Sequence, residues 1–277
     1  MPQSKERTEG ERHAATATGG DAASAWMTGG SGSGQGDRRR FLDWARPMPE
    51  VAAEWFVEQH EPSGGELDAS EEVWVFPGAR AGREFLRRIH DRAERAGRPL
   101  LPPMVITPGR LDEVVLVDLQ SLAPADELEV RSAWAIELMR ANESLQTAVF
   151  GSNRRPAPDE AWSRAAVFAK AVAELRGEGL DPQAHSATVP ESESARWAGI
   201  AEIDRHVASR LASCGLSDPD HHRWIAAGQG SIRPWRIVAA GVLEWSGWQR
   251  LLLERANATV LVSAPEALRE DFDAFGA

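Results

Sequence analysis

The sequence contains one cysteine, Cys214, no tyrosine, and only two lysines, Lys5 and Lys170. A single cysteine excludes a disulfide within the chain, which fits a reducing cytoplasm. No apolar run approaches the roughly 18–20 residues that a membrane-spanning helix needs. The N-terminus also lacks the apolar core of a secretion signal. The sequence therefore predicts a cytoplasmic protein that does not enter a membrane.

Positive charge is also scarce, because 42 acidic residues outnumber 31 basic ones and leave a net charge of -11. Nucleic-acid phosphates favour a basic surface. This balance excludes a chain that binds nucleic acid over its whole surface, but it leaves local basic patches open. The first residues are rich in Gly, Ser, Ala and Thr, as in "TGGSGSGQGD" (Thr28–Asp37), and predict a disordered tail over residues 1–37.

Four short apolar runs divide the remaining residues, 38–277, which we expect to form one domain. Each run is continuously apolar at its centre, which is typical of strands covered on both faces in a parallel sheet. Helical patterns separate the runs and dominate from about residue 108 to 230. We therefore predict an α/β fold, a parallel sheet of the P-loop type with a mainly helical insertion. The runs are "VWVF" (Val73–Phe76), "MVIT" (Met104–Thr107), "RIVAA" (Arg236–Ala240) and "TVLVS" (Thr259–Ser263).

Apolar spacing and capping residues place the helices between these runs. An apolar stripe follows the first run and predicts a helix that stops at Gly97. Further predictions are a loop over Glu178–Ser192, an N-cap at Asp218 and a helix over Gly247–Arg255. The stripe consists of Ala81, Phe85, Ile89 and Ala93.

The stretch "VWVFPGARAGREF" has the layout of a strand, a phosphate loop and a helix. A phosphate loop is G-x-x-x-x-G-K-[ST], in which backbone N–H groups and the lysine hold phosphate and the hydroxyl binds magnesium. Here Gly78 and Gly82 stand one residue too close, and Arg83 and Glu84 replace the last two positions. Two interpretations follow: a tight turn that needs glycine geometry, or an anion site in which Arg80 and Arg83 hold a phosphate such as that of DNA.

The helix after this loop carries seven arginines, partly balanced by Glu84, Asp91 and Glu94 at helical spacing. The pattern favours a solvated, salt-bridged face, and a strip that contacts a nucleic-acid backbone is the alternative. Under that alternative, Arg87 and Arg88 are candidate DNA contacts. The seven are Arg80, Arg83, Arg87, Arg88, Arg92, Arg95 and Arg98.

Other chemistry-bearing residues form no recognisable motif. No pair of cysteine or histidine residues has a zinc spacing such as C-x2-C or H-x3-H, and G-x-S-x-G is absent. We therefore expect no metal, no cofactor and no catalytic residue. The residues weighed for a metal site are His206, Cys214, His221, His222, Asp204, Asp218 and Asp220.

Tryptophan is abundant, with 11 residues, and most are expected to lie in the core. Trp44, Trp245 and Trp248 stand near predicted loops, where the bases of a nucleic acid could stack on them. Of these, Trp245 is the candidate DNA contact.

Two passages together resemble AddB-type helicase–nuclease subunits, which carry an inactivated superfamily 1 helicase core followed by a PD-(D/E)XK nuclease. "VWVFPGARAGREFLRRIHDRAERAGRPLLPPMVITPGRL" (Val73–Leu111) is similar to the first βαβ unit of that family. "WRIVAAGVLEWSGWQRLLLERANATVLVSAPEA" (Trp235–Ala267) is similar to its Walker B passage, including the packing residue Gln249. In this passage, Ala240 and Gly241 stand where an active helicase has Asp and Glu to hold magnesium and activate water.

The resemblance implies a part in DNA double-strand-break repair and recombination, without ATP hydrolysis or nuclease activity in this chain. The loop lysine and both Walker B acids are missing, and "VFAKAV" around Lys170 lacks the acidic neighbour of a nuclease motif. It further implies a structural domain beside a helicase–nuclease partner subunit or a downstream nuclease domain, with DNA as a candidate ligand. We expect the chain to be the N-terminal segment of such a protein. The alternatives are a nucleotide- or anion-binding regulatory domain in which Arg83 replaces the loop lysine, and a ligand-free scaffold or gene remnant.

Overall fold

The computed structural model describes residues 37–60, 65–117 and 122–277. Its main sheet has five strands, all parallel, in the spatial order β1 (Arg39–Leu42), β9 (Thr259–Ser263), β8 (Arg236–Ala240), β3 (Glu72–Val75) and β5 (Met104–Ile106). The predicted α/β fold with a parallel sheet and a helical region is confirmed. Two short parallel pairs are formed by β2 (Leu67–Asp68) with β4 (Leu100–Leu101) and by β6 (Ala123–Pro124) with β7 (Leu216–Ser217).

Helices cover both faces of the main sheet. On one face, α1 (Met48–His60) and α2 (Ala79–Arg95) bury an aromatic-rich core around Trp74. The predicted residues Phe85 and Ile89 lie in this core, Ala81 packs against it, and Ala93 is also buried. On the other face, α3 (Leu111–Val115), α9 (Pro219–Gln229) and α10 (Gly247–Arg255) bury a second core. Strands that are covered on both sides must be apolar throughout, and this explains why the four runs predict strands so closely.

The helical region lies between α3 and α9 along the chain and has a core of its own. It contains α4 (Glu127–Arg140), α5 (Glu143–Phe150), α6 (Pro158–Gly177), α7 (Pro182–Ser186) and α8 (Glu191–Ser213). Its entry and exit lie side by side, because Ala123 in β6 pairs with Leu216 in β7. The region is therefore anchored to the rest of the chain where its two ends meet.

The predicted loop over Glu178–Ser192 is wrong, since α7 and the start of α8 lie within it. The Asp181 carboxylate accepts hydrogen bonds from the N–H groups of Gln183 and Ala184, and Pro182 takes the first helical position, which stabilises a short helix. The predicted N-cap at Asp218 is confirmed, because its side chain accepts from the N–H groups of Asp220 and His221.

The predicted tail over residues 1–37 lies outside the described residues except for Asp37. None of the helices in the described ranges combines the length and the apolar character that crossing a membrane requires.

Candidate functional site

The main sheet reverses its winding direction between β3 and β8. From β3 the chain passes through α2 on one face to β5, and from β8 it passes through α10 on the other face to β9. In doubly wound sheets, ligands bind beyond the carboxyl ends of the strands at this reversal point. The candidate site is therefore the edge formed by residues 76–83 and 240–246, which we call the switch-point edge.

The connection after β3 is too short to form a phosphate loop. β3 ends at Val75 and α2 begins at Ala79, so only residues 76–78 join them. Gly82 already lies in the first turns of α2, and its N–H donates to the Gly78 carbonyl at 3.3 Å. The backbone that would surround a phosphate in the standard motif is instead wound into the helix.

The two glycines of this stretch differ in their structural requirements. A Cβ on Gly82 would lie 2.5 Å from Cγ1 of Val105 in β5, so glycine lets α2 pack closely against the sheet. Gly78 has φ -158° and ψ 154°, an extended conformation open to any residue, and a Cβ there would meet nothing within 4 Å. The expectation that this turn needs glycine geometry is therefore wrong at Gly78, and at Gly82 the requirement is close packing.

Arg80 and Arg83 are exposed at the beginning of α2. Within the described residues, no hydrogen bond or ion pair engages either guanidinium group. The first turn of α2 contains no acidic residue and no side chain caps it. The helix N-terminus therefore retains its partial positive charge, with two arginines beside it, at the switch-point edge.

Arg87 and Arg88, by contrast, are neutralised by carboxylates. Arg87 lies 2.7 Å from Glu84 and 2.8 Å from Asp91, and Arg88 lies 2.8 Å from Glu84 and 3.0 Å from Glu50. The hydrogen bond from Arg87, followed by that from Arg88, lowers the pKa of Glu84 to about 2, so this carboxylate stays ionised. Arg87 and Arg88 therefore lie on a salt-bridged face of α2, the first of the two interpretations of its arginines.

Ala240 and Gly241, where the resemblance places the Walker B acids, lie at the end of β8. Ala240 is fully buried in the core beneath α1 and α2. Gly241 has φ +66°, and a Cβ there would lie 3.0 Å from Cγ of Met48. A carboxylate at 240 would be buried without a partner, and a side chain at 241 would be strained.

Trp245, the predicted base-stacking residue, is buried, with 6% of its surface exposed. Its Nε1–H donates to the Phe275 carbonyl at 3.3 Å, and its ring packs in the core that α10 covers. The ring is therefore not placed to stack on a base, and this prediction is corrected. Trp44, in the loop after β1 at the same end of the sheet, is 68% exposed.

A second polar arrangement, which the sequence did not single out as a unit, is buried where α6 and α8 of the helical region meet the N-terminus of α9. The Arg176 side chain on α6 is 3% exposed, and its Nη2 lies 2.5 Å from the Asp204 carboxylate and 2.7 Å from Nδ1 of His221. Its Nη1 lies 3.6 Å from the Asp218 carboxylate. We call these four residues the Arg176 cluster. Within it, one guanidinium group faces two carboxylates.

Burial shifts two titrations in the Arg176 cluster in opposite directions. It raises the pKa of Asp204 to about 6, although Arg176 acts against this shift, and the charge of Asp218 adds to it. It also lowers the pKa of His221 to about 4, and the positive charge of Arg176 contributes. Between pH 4 and pH 6, Asp204 is protonated and His221 is neutral in the folded protein, whereas in the unfolded chain Asp204 is ionised and His221 is protonated.

We therefore expect two variants, Asp204→Asn and His221→Gln, to change the pH dependence of the free energy of unfolding in opposite directions. The folded pKa of Asp204 lies above its unfolded value, so relative to Asp204→Asn the wild type loses about 3 kcal/mol of unfolding free energy as the pH rises from 4 to 6. The folded pKa of His221 lies below its unfolded value, so relative to His221→Gln the wild type loses about 3 kcal/mol as the pH falls from 6.5 to 4. Urea unfolding at several pH values tests this, and difference curves that both stay flat contradict it.

The residues weighed for a metal site do not converge. Cys214 is exposed at the end of α8, and His206 is exposed on the same helix, while His221 and Asp204 belong to the Arg176 cluster. In the part of the chain that the structure describes, no three Cys, His, Asp or Glu side chains form a group that could hold a metal ion.

Comparison of the chain with protein-family models and with curated protein sequences gave no match. The resemblance to AddB-type subunits therefore rests on the two passages Val73–Leu111 and Trp235–Ala267 alone.

Proposed function

We propose that this chain is a non-catalytic helicase-like domain of a DNA double-strand-break repair helicase–nuclease, and that it contacts a DNA strand at the switch-point edge. The observation that carries the proposal is the N-terminus of α2, where Arg80 and Arg83 are exposed and have no partner within the described residues. Such a helix end attracts phosphate through its N–H groups and its dipole, and arginine adds charge-assisted hydrogen bonds.

The same edge lacks the groups that would turn phosphate binding into hydrolysis. Residues 76–78 form a short connection in place of a phosphate loop, and Arg83 stands where lysine would. Ala240 and Gly241 provide no oxygen ligands for magnesium from their side chains, whereas phosphoryl transfer depends on bound magnesium. These features support binding without chemistry, and they favour a structural or strand-guiding role.

A nucleotide- or anion-binding regulatory domain is the second candidate, because Arg83 occupies the position of the loop lysine. DNA is preferred for two reasons. The short connection 76–78 offers little backbone to enclose a triphosphate. The exposed ring of Trp44 lies at the same end of the sheet and provides a surface on which a base can stack.

The double substitution Arg80→Ala and Arg83→Ala is expected to weaken binding of single-stranded DNA and to reduce its salt dependence. Each phosphate contact contributes about 0.7 to the slope of log K against log salt for a single strand, so losing two lowers the slope by about 1.4. Fluorescence anisotropy of a labelled oligonucleotide, measured from low to moderate salt, gives both the affinity and the slope.

Arg87→Ala is the matched control, because Arg87 lies on the same helix but is paired with Glu84 and Asp91. It should leave the slope unchanged. Magnesium-ATP, added in a separate titration, distinguishes the second candidate. The DNA proposal fails if all variants bind DNA equally well, or if only ATP binds and Arg83→Ala abolishes that binding.

A further inference from the structure

The helical region contains a groove of about 480 Å³ that is unrelated to the switch-point edge. Its floor is the outer face of α6, where Ala166, Ala169 and Ala173 expose a strip of small apolar side chains, continued by Val130 of α4. The N-terminal turns of α4 and α9 form its walls. A volume of this size accommodates a side chain together with a short stretch of a bound segment.

The rim of the groove carries four carboxylates, from Asp126, Glu127, Asp218 and Asp220. The Asp126 and Asp218 side chains each accept hydrogen bonds from the backbone of the helix that they cap. Glu127 has no partner within the described residues, and Asp220 has only Arg223, at 3.5 Å. Glu127 is thus left without a cation in the described part of the chain, and the one beside Asp220, Arg223, lies closer to Asp112, at 2.9 Å.

Two basic side chains also line the groove, but both have other partners. The Arg131 guanidinium stacks on the ring of Trp162, 4.3 Å from its centre, and donates to the Trp162 carbonyl at 3.1 Å. Lys170 lies 3.7 Å from Glu174, one turn further along α6. Neither cation forms an ion pair with a rim carboxylate within the described residues, so the rim remains acidic.

Behind the groove, the positive charge of Arg176 is shared between two carboxylates. Asp218 lines the groove and also faces Arg176, at 3.6 Å, but Asp204 lies closer to the same guanidinium, at 2.5 Å. His221 accepts a hydrogen bond from Arg176 through Nδ1 and adds no positive charge in that role. Arg176 and Asp204 cancel each other's charge, so the buried cluster leaves the negative charge of Asp218 in the groove largely uncompensated.

An exposed apolar side chain extends the surface beyond the groove itself. Leu128 on α4 is 61% exposed and lies beside Glu127 and Arg131 of the lining. An apolar floor, an acidic rim and this apolar flank together complement a segment that carries both apolar and cationic side chains.

We propose that this groove binds a segment of a partner protein that inserts an arginine or lysine side chain, with the stem on the alanine strip and the cation beside Glu127 and Asp220. Nucleic acid does not fit, because its phosphates would meet the acidic rim. The site is independent of the switch-point edge, and its test does not depend on DNA binding.

The probe is pentylguanidinium, which mimics an arginine side chain, with pentylurea as a neutral match of nearly equal shape and pentyl sulfate as an anionic match. Chemical-shift mapping on the isotope-labelled full chain should place pentylguanidinium in the groove with a Kd on the order of a millimolar, as suits so small a ligand. Pentylurea should bind at least about tenfold more weakly, and pentyl sulfate should not bind there.

The double variant Glu127→Gln and Asp220→Asn should lose about tenfold in affinity for pentylguanidinium and keep its weak affinity for pentylurea. Glu113→Gln, an exposed acid on α3 that pairs with Arg110, is the control and should change neither. A second variant, Ala169→Met, fills the floor and should weaken both probes. Equal binding of pentylguanidinium and pentylurea, or shifts that map elsewhere, would overturn the proposal. Sedimentation that shows a dimer which the double variant dissociates would also overturn it, because the occupant would then be a second copy.

Discussion

Replacing Arg176 by methionine is expected to lower the free energy of unfolding by about 3–5 kcal/mol at pH 7, because it leaves buried carboxylates without their cation. Methionine keeps most of the volume and none of the charge. The Asp204 carboxylate, 2.5 Å from Arg176, and Asp218, 3.6 Å away, would then face each other without a guanidinium group between them. Because these residues come from α6, α8 and the N-cap of α9, the loss should loosen the packing of the helical region. Urea unfolding followed by circular dichroism measures the change.

Asp204→Asn removes one negative charge from the Arg176 cluster, whereas Arg176→Met removes its positive charge. Burial raises the pKa of Asp204 to about 6, which means that the folded state disfavours its ionised form. At pH 7 the neutral isostere is therefore expected to raise the free energy of unfolding, by up to about 3 kcal/mol. It leaves one guanidinium group facing one carboxylate. If Asp204→Asn instead destabilises the protein as much as Arg176→Met, the excess of negative charge in the cluster is not what governs its stability.

The loss in Arg176→Met should also shrink at pH 5, where Asp204 carries a proton in the folded state. A loss that is equal at pH 5 and pH 7 would indicate that packing of the arginine stem matters more than its charge.

The sheet was predictable because its central strands β3 and β8 are buried on both faces and are apolar at all but their first positions, Glu72 and Arg236. The runs "RIVAA" and "TVLVS" coincide with β8 and β9 at both ends. The edge strand β1 escaped prediction, because it has only two apolar residues, and its partner β9 lies more than two hundred positions away along the chain. Its pairing of Phe41 with Val262 depends on tertiary contacts that no local pattern records.

The candidate site was predictable in its composition but not in its exposure. The sequence located Arg80, Arg83, Ala240 and Gly241, yet it could not distinguish the paired arginines from the unpaired ones on α2. Glu84 and Asp91 pair with arginines within α2, but Glu50 also reaches Arg88 from α1, a helix that the sequence did not predict. Trp245 was misplaced for a related reason, since a residue in a connection between a strand and a helix can still fold back into the core.

A local signal for Arg176 does exist. Phe168, Val172 and Arg176 recur every four residues on the buried side of α6. An arginine that ends an apolar stripe is expected to be buried, and a buried guanidinium requires carboxylate partners. The aspartates that serve it come from two later elements, so the sequence indicates that partners exist without showing which they are.

The contact between Gly179 and Gly247 joins the helical region to the helix that covers the sheet. Gly179 follows α6 and has φ +82°, and Gly247 is the first residue of α10. A Cβ on Gly247 would overlap the backbone of Gly179 and Glu178. The chain at Gly179 has little freedom to retreat, because its N–H donates to the Arg176 carbonyl at 3.0 Å.

Gly247→Ala is therefore expected to lower the free energy of unfolding by about 3 kcal/mol, since the added methyl group meets backbone and not a flexible side chain. To relieve the overlap, α10 would have to move, and with it the buried residues Leu251 to Leu253 that pack against the sheet. Gly177→Ala is the matched control, because a Cβ there meets nothing within 4 Å and alanine favours the helix, so stability should stay equal or rise by up to about 1 kcal/mol. Urea unfolding of both variants decides the matter. A Gly247→Ala protein as stable as the wild type would mean that the two segments can separate without loss, and that the helical region is not fixed to the sheet at this point.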